Sequence, residues 1–362
     1  MSALVEGVRR IAVLRANAVG DLIVALPALE AVKRAYPSAR LTLLGREWHA
    51  RFLTGRPGPV DEVIALPPVP GVSAPETGQR PPPGLLESLR ERRFDLALQM
   101  HGGGVSSNPF VRRLGARLTA GLCVPEAERL DRWTPYVFYQ HETMRLLEVA
   151  ALVGGRAGAI EPSVAVTAAD RAELARAHGE PPPDLVAVHP GAADPRRRWP
   201  AYRFAAVADR LGRPVVVTGT EEERDLVEEV IAEMRRPATP AVDSLSLGGL
   251  AALYERCALV IANDTGPRHL AAAVGTPTVG VYWCGNLVTA GPLTRTRHRP
   301  LISWTAACPV CGATGLGGDA ERCPHDVSWV ADVPIGAVLE AARALLGEDH
   351  DPRGTRAGDL VC

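Results

Sequence analysis

Residues 259–283 read LVIANDTGPRHLAAAVGTPTVGVYW. A short apolar run, Leu259 to Ala262, is bounded by the polar pair Asn263–Asp264, which is the pattern of a buried strand. Thr265, Gly266 and Pro267 then open a helix. The helix is built from small residues and stops at Gly275. A second apolar run, Pro277 to Trp283, follows directly. Strand, short helix and strand in such close succession make a βαβ unit, so the two strands lie parallel in one sheet.

The same alternation extends upstream. "LVAVHPG" reads as strand and loop, "WPAYRFAAVADRL" as helix and "RPVVVTG" as strand. "TEEERDLVEEVIAEM" is a helix opened by the capping pair Thr220 and Glu223, and "LGGLAALYERCA" is another helix. Before the "EPPPD" break at Glu180–Asp184 lies a first series. It holds the strand Ile11 to Arg15, a turn through Gly20, and helical spacing at Leu22, Ile23, Leu26, Leu29 and Val32, with Pro27 expected in the helix's first turn. Pro37 stops that helix, and Leu41 to Leu44, "VDEVIALP" and "FDLALQM" read as strands. The Pro-rich stretch Pro67 to Pro83 reads as loop, and Pro334 to Leu346 as a last amphipathic helix. The expected fold is α/β, with two Rossmann-like domains whose parallel sheets face across a cleft. Residues 1–165 form the first domain and 166–347 the second, and 348–362 are a polar tail expected to be disordered. Ligands belong at the carboxyl ends of the strands.

The chain has 362 residues, 46% of them apolar, enough for two cores. Forty basic and 41 acidic residues leave a net charge of -1, so no overall field draws it to nucleic acid. Lys33 is the only lysine. No stretch has the length of a membrane span, and the N-terminus lacks a signal peptide's apolar run. These features lead to an expected cytoplasmic location. Seven scattered cysteines agree with a reducing compartment.

Three strand-end loops carry groups suited to anion chemistry. Asp21 stands at a helix start after the first strand; alone it reads as a cap. Gly191 and Ala192 offer backbone amides, and Arg196, Arg197 and Arg198 follow with guanidinium forks that match phosphate oxygens. Asp264, Thr265, Gly266 and His269 surround a helix mouth, where free N–H groups favour a negative ligand. The first turn has neither G-x-G-x-x-G nor a P-loop, which speaks against dinucleotide oxidoreductases and NTPases. The one D-x-D pair, Asp349–Asp351, falls in the tail. A separate cluster, "CPVCGATGLGGDAERCPHD", holds Cys308, Cys311, Cys323 and His325. Its ligand types suit a structural zinc or iron, and ordinary reduced cysteines are the alternative.

Taken together, "AVGDLIVALPAL", "HPGAADPRRRWP" and "NDTGPRHLAAA" resemble, in order and separation, three motifs of glycosyltransferase family 9, the ADP-heptose lipopolysaccharide heptosyltransferases. The resemblance covers about residues 9–346 and implies the GT-B fold. It assigns Asp21 to the general base and Arg197 to the position of a phosphate-binding lysine. Glu221 matches a ribose-holding carboxylate, Asp264 a contact to the donor sugar, and Thr265, Gly266 and His269 contacts to the diphosphate. Arginine for lysine, and Gly191 and Ala192 for hydroxyl residues, are departures that bear on donor identity. The implied reaction is inverting transfer of a sugar, most simply heptose from ADP-heptose, to a hydroxyl of a glycan or glycolipid. It needs no cofactor or metal and involves at most peripheral contact with the inner face of a membrane. The loop holding His101 and Asn108 is the expected acceptor contact. The alternatives are a transferase or epimerase for another nucleotide sugar, and a non-catalytic assembly protein of the same fold.

Overall fold

The computed structural model describes residues 4–75, 81–317 and 321–348. Its central strands are the apolar runs, buried on both faces as parallel strands require. The first six strands are β1 (Arg10–Leu14), β2 (Arg40–Gly45), β3 (Glu62–Ala65), β4 (Leu96–Gln99), β5 (Leu118–Cys123) and β6 (Arg132–Pro135). They form one parallel sheet in the order β3-β2-β1-β4-β5-β6. The second set is β7 (Val186–His189), β8 (Val215–Gly219), β9 (Thr239–Val242), β10 (Leu259–Asn263), β11 (Thr278–Trp283) and β12 (His298–Ser303). Its order, β12-β11-β10-β7-β8-β9, repeats the same winding. Each sheet is thus doubly wound, with topological switch points between β1 and β4 and between β7 and β10, where α/β proteins place their ligands.

The helices of the first half are α1 (Val19–Ala35), α2 (Glu47–Leu53), α3 (Leu85–Glu91), α4 (Ser107–Arg112) and α5 (Glu142–Leu152). Those that follow are α6 (Ala168–His178), α7 (Ala201–Leu211), α8 (Arg224–Glu233), α9 (Leu247–Arg256), α10 (Gly266–Ala273), α11 (Cys284–Ala290) and α12 (Ile335–Leu346). Among the described residues none is long and apolar enough to cross a membrane. Helix α1 starts earlier than its apolar spacing suggests. The Asp21 carboxylate accepts the Ala18 N–H at 3.1 Å and closes the first turn, so Pro27 sits in the helix interior and not in its opening turn. The helix is nonetheless continuous, with Leu22, Ile23, Leu26 and Leu29 all buried around the proline.

The two halves are not separated by a wet gap. One cluster of buried apolar side chains runs from α1 and α5 to α9 and α10, including Leu26, Leu29, Leu146, Tyr254, Leu270 and Ala271. Across the expected boundary at 165/166, Arg56 grips Asp170 at the start of α6 with two hydrogen bonds of 2.7 and 3.1 Å, and donates to Ala165 O at 2.6 Å. The tail beyond Glu348, including Asp349–Asp351, lies outside the described residues. Glu348, expected to be part of a disordered tail, instead pairs with Arg213 at 2.9 Å.

Candidate active site

A cleft of about 430 Å³ opens where the carboxyl ends of β1 and β4 face those of β7 and β10. Asp21, Arg197, Asp264, Thr265, Gly266 and His269 all line it. The first half contributes the mouth of α1 and the second half the mouth of α10, so two helix N-termini converge on one space.

Asp21 is placed by Arg15, the residue that ends the first strand run. Arg15 is 1% exposed. Its Nη2 donates to Asp21 Oδ1 at 3.0 Å, its Nη1 to Glu142 Oε1 at 3.0 Å and to Met100 O at 2.7 Å, and its Nε to Asp21 O at 3.1 Å. Glu142 is held on its other oxygen by Arg145, whose guanidinium lies 4.1 Å from the centre of the Tyr136 ring. The two carboxylates therefore differ. Both oxygens of Glu142 are tied to arginines and its side chain is 16% exposed, whereas Asp21 is 38% exposed and faces the cleft.

On the opposite wall Asp264 is almost wholly buried. Asn286 Nδ2 donates to its Oδ2 at 2.6 Å, Arg197 Nη1 stands 3.5 Å from the same oxygen, and His269 Nε2 stands 3.5 Å from Oδ1. Burial works against ionisation of Asp264, yet His269, Arg268 and Arg197 hold its carboxyl below the usual range. Burial and the nearby Arg268 charge press His269 down to about 4, so at neutral pH it offers a neutral N–H and not a cation. Arg197 is left as the cation turned to the cleft from its loop. Arg196 forks onto Asp194 at 2.6 to 3.1 Å, and Arg198 Nε donates to Ala192 O at 2.9 Å. Trp199 anchors this loop: it is fully buried, with Nε1 donating to Val333 O and its N–H to Asn263 Oδ1, each at 3.0 Å. Asn263 Nδ2 donates in turn to Pro190 O at 2.7 Å, which locks the arginine loop to the α10 loop. Asn17 Oδ1 and Asp264 Oδ1, both on the cleft wall, are buried with no hydrogen-bond partner.

Other residues singled out in the sequence stand apart from this lining. The Glu223 carboxylate occupies the place a Gly191 side chain would need, and Ala192 is buried at 1% exposure. Glu221 lies on a single 3-10 turn, Glu221–Glu223, with its carboxylate forked onto Arg224 at 2.6 Å. His101 Nδ1 accepts the Ala16 N–H at 3.3 Å, and burial takes its pKa down to about 4. Asn108 is buried, its Nδ2 donating to Leu122 O and Glu128 O. From that loop it is the neighbouring Gly102 that reaches the cleft.

Arg15, Asn17, Glu142, Arg145 and Asn286 were not singled out. Arg15, Asn17 and Asn286 follow strand ends, so the strand-end rule would have found them. Glu142 and Arg145 sit on α5 and carry no local signal.

Away from the cleft, Cys308, Cys311, Cys323 and His325 gather so that their ligand atoms all lie within 4.8 Å of one another. His325 Nδ1 is buried without a hydrogen-bond partner. Burial raises the Cys308 thiol, but the N–H groups of Cys311 and Val310 and the neighbouring thiols outweigh it and bring the group to about 7. The described cysteines form no disulfide.

The family model described as "Glycosyltransferase family 9 (heptosyltransferase)" matches residues 84–306. The chain is 26% identical over 361 residues to lipopolysaccharide heptosyltransferase 2 of Salmonella typhimurium, covering 94% of this chain and 99% of that protein. Among solved structures it is similar to a family 9 glycosyl transferase from Veillonella parvula, with TM-score 0.74, 24% identity, and 94% and 98% of the two chains covered. It is also similar to ADP-heptose lps heptosyltransferase II of E. coli, with TM-score 0.70, 19% identity, and 94% and 99% covered.

Proposed function

The chain belongs to glycosyltransferase family 9 (heptosyltransferase), and on that premise we propose that it is an inverting, metal-independent transferase moving a heptose from ADP-heptose to a hydroxyl of a lipopolysaccharide-type acceptor. The observation that carries this reading is the opposition, across one cleft, of a solvent-reached carboxylate and a cationic helix mouth. Asp21 takes the proton of the acceptor hydroxyl as its oxygen attacks the anomeric carbon. Arg15 and the Ala18 N–H fix the carboxylate's direction while leaving it open to the cleft. The bond from the anomeric carbon to the diphosphate breaks, and the departing oxygen keeps the electron pair. Arg197, the α10 N-terminus and the neutral His269 N–H stabilise that charge. Attack opposite the leaving group inverts the anomeric centre.

Residues 1–165 serve as the acceptor side in this reading and 166–347 as the donor side. Phe138 lines the cleft, and Val137, Phe138 and Tyr139 are each more than two-fifths exposed, an apolar lip suited to a lipid-linked acceptor. The reading carries a cytoplasmic location with at most peripheral membrane contact. Catalysis draws on no cofactor, and the cysteine cluster is assigned to a structural zinc or iron. The test is transfer from a panel of nucleotide sugars, read as nucleoside diphosphate release, with the anomeric configuration of the product determined by NMR. Preference for another donor would correct the donor, and retention of configuration would overturn the single displacement.

A further inference from the structure

The residues on either side of Arg197 are held by the segment that follows the cysteine cluster. The Trp329 N–H donates to Arg196 O at 2.7 Å, and Ser328 Oγ donates to Arg198 O at 2.6 Å. The Arg196 guanidinium lies 5.2 Å from the centre of the Trp329 ring, and Arg322 reaches Asp194 at 3.6 Å. Trp283 Nε1 donates to Thr305 O at 2.6 Å, which ties the near end of the same loop to β11. The Gly317 N–H meets Tyr139 of the first half at 2.8 Å. The loop from 304 to 329 thus touches the residues on either side of the cleft's cation. Among its described residues it has little regular structure, the isolated bridge between Ala307 and Thr314 apart.

Such a loop needs an internal fastener to hold its shape, and the cluster supplies one. Four ligand atoms within 4.8 Å approach the edge of about 3.8 Å in a tetrahedron with metal–sulfur arms of about 2.3 Å. The buried, unpartnered His325 Nδ1 beside three thiols is what a metal donor set leaves behind without its ion.

We propose that Cys308, Cys311, Cys323 and His325 bind one zinc-class divalent ion, and that this ion positions Arg197 by fixing the 304–329 loop against Arg196 and Arg198. The ion acts through Arg197 and touches no substrate. The proposal rests on the reading of Arg197 as a diphosphate contact. The fit of loop to arginine turn can also be read without any donor.

The test uses the full chain purified under reducing conditions. Elemental analysis should find one zinc or iron per chain. The ion is then removed with a thiol reagent and chelator, and separately by Cys311→Ser with Cys323→Ser. Far-UV circular dichroism should stay unchanged, while hydrogen exchange at residues 194–199 rises. ADP binding by calorimetry should weaken about tenfold, the worth of one well-placed charged hydrogen bond. In an Arg197→Ala background, ion removal should have no further effect on ADP. Absence of stoichiometric metal, unchanged exchange at 194–199, or an equal loss of ADP affinity in the Arg197→Ala background would each overturn the proposal. If the metal-loaded protein binds no ADP at all, the donor reading fails and the exchange result alone decides the role of the metal.

Discussion

Gly20 and Gly266 lie against one another where the two halves meet. A Cβ on Gly266 would stand 3.3 Å from Gly20 N and 3.0 Å from Val19 Cβ, and one on Gly20 would stand 3.1 Å from His269 Cδ2. Neither glycine has a positive φ, so both are there for close approach and not for an unusual backbone. The missing side chains let the mouths of α1 and α10 share one cleft. Gly266→Val would overlap backbone that cannot yield and push Asp21 away from Thr265. It should cost roughly 1–3 kcal/mol by overpacking and abolish transfer, with Gly266→Ala milder on both counts. Urea unfolding and a transfer assay measure the two effects. A valine variant with normal turnover would make the contact dispensable.

Asp21→Asn keeps the shape of the carboxylate and removes its basicity. Transfer should fall by about 10²–10⁴, the usual share of a positioned general base, while ADP affinity stays within a few-fold. Single-turnover transfer and calorimetry separate the two. Near-normal transfer would leave Asp21 as a helix cap fastened by Arg15. Glu142→Gln is the matched control: both its oxygens are engaged, so its loss should act through the placement of Arg15 and be rescued in part by Glu142→Asp.

Burial takes four histidines, His49, His101, His269 and His298, down to about 4. Each binds a proton more readily unfolded than folded. Their contribution to stability is complete above the unfolded pKa near 6.5, and it is lost as pH falls toward 4. Urea unfolding followed from pH 7.5 to pH 4.5 should show stability falling through this window, with net proton uptake on unfolding. A flat profile would mean these rings take up protons as readily in the fold as in the unfolded chain.

Much of this architecture is legible because a parallel sheet buries its central strands on both faces. β1, β4, β7, β8, β10 and β11 are plain apolar runs, and the chemistry lies one or two residues beyond their ends. The edge strands β6, β9 and β12 hid themselves. Each contains a proline, Pro135, Pro240 or Pro300, and β6 and β12 add polar residues, as edge strands tolerate. Pro27 misplaces the start of α1 even though Asp21 reads as a cap at a helix start: a proline is expected in a first turn, and this one sits in the helix interior. Gly266 lines the cleft at the helix mouth, and its close approach to Val19 and Gly20 carries no sequence signal. Glu142 and Arg145 could not be found from pattern at all. Their pairing with Arg15 spans more than a hundred residues and exists only once α5 packs beside α1.

If fixed positive groups serve the leaving diphosphate, added magnesium or manganese should do nothing for the rate. Brief EDTA treatment should leave transfer intact, with elemental analysis confirming that the cysteine-held ion was not stripped during the same exposure. Loss of turnover in EDTA, restored by magnesium while that ion stays bound, would put a second metal at the diphosphate.

Arg197 and Asp264 form the pair on which donor binding should turn. They stand 3.5 Å apart, with Asp264 at 5% side-chain exposure and Arg197 at 29%. In the free protein part of the guanidinium's field is spent on this carboxylate, and a diphosphate must share it. Arg197→Ala should therefore weaken ADP binding by about 2–5 kcal/mol, the range for truncating one partner of a buried charge pair. Asp264→Asn should do the opposite for ADP, since it removes a negative charge beside the phosphates and leaves Arg197 uncommitted. For the intact sugar nucleotide the same change should weaken binding if the Asp264 carboxylate accepts hydrogen bonds from sugar hydroxyls. Groups in one network do not act independently, so in the double variant the gain from Asp264→Asn should shrink, with no cation left to release. Calorimetry with ADP and with the sugar nucleotide, across wild type, both single variants and the double, completes the cycle. Tighter ADP binding together with weaker sugar-nucleotide binding in Asp264→Asn marks Arg197 as the phosphate contact and Asp264 as the sugar contact. Equal effects on both ligands would confine Asp264 to holding the Arg197 loop, and the sugar would then need another partner on that wall, with Asn286 the nearest candidate.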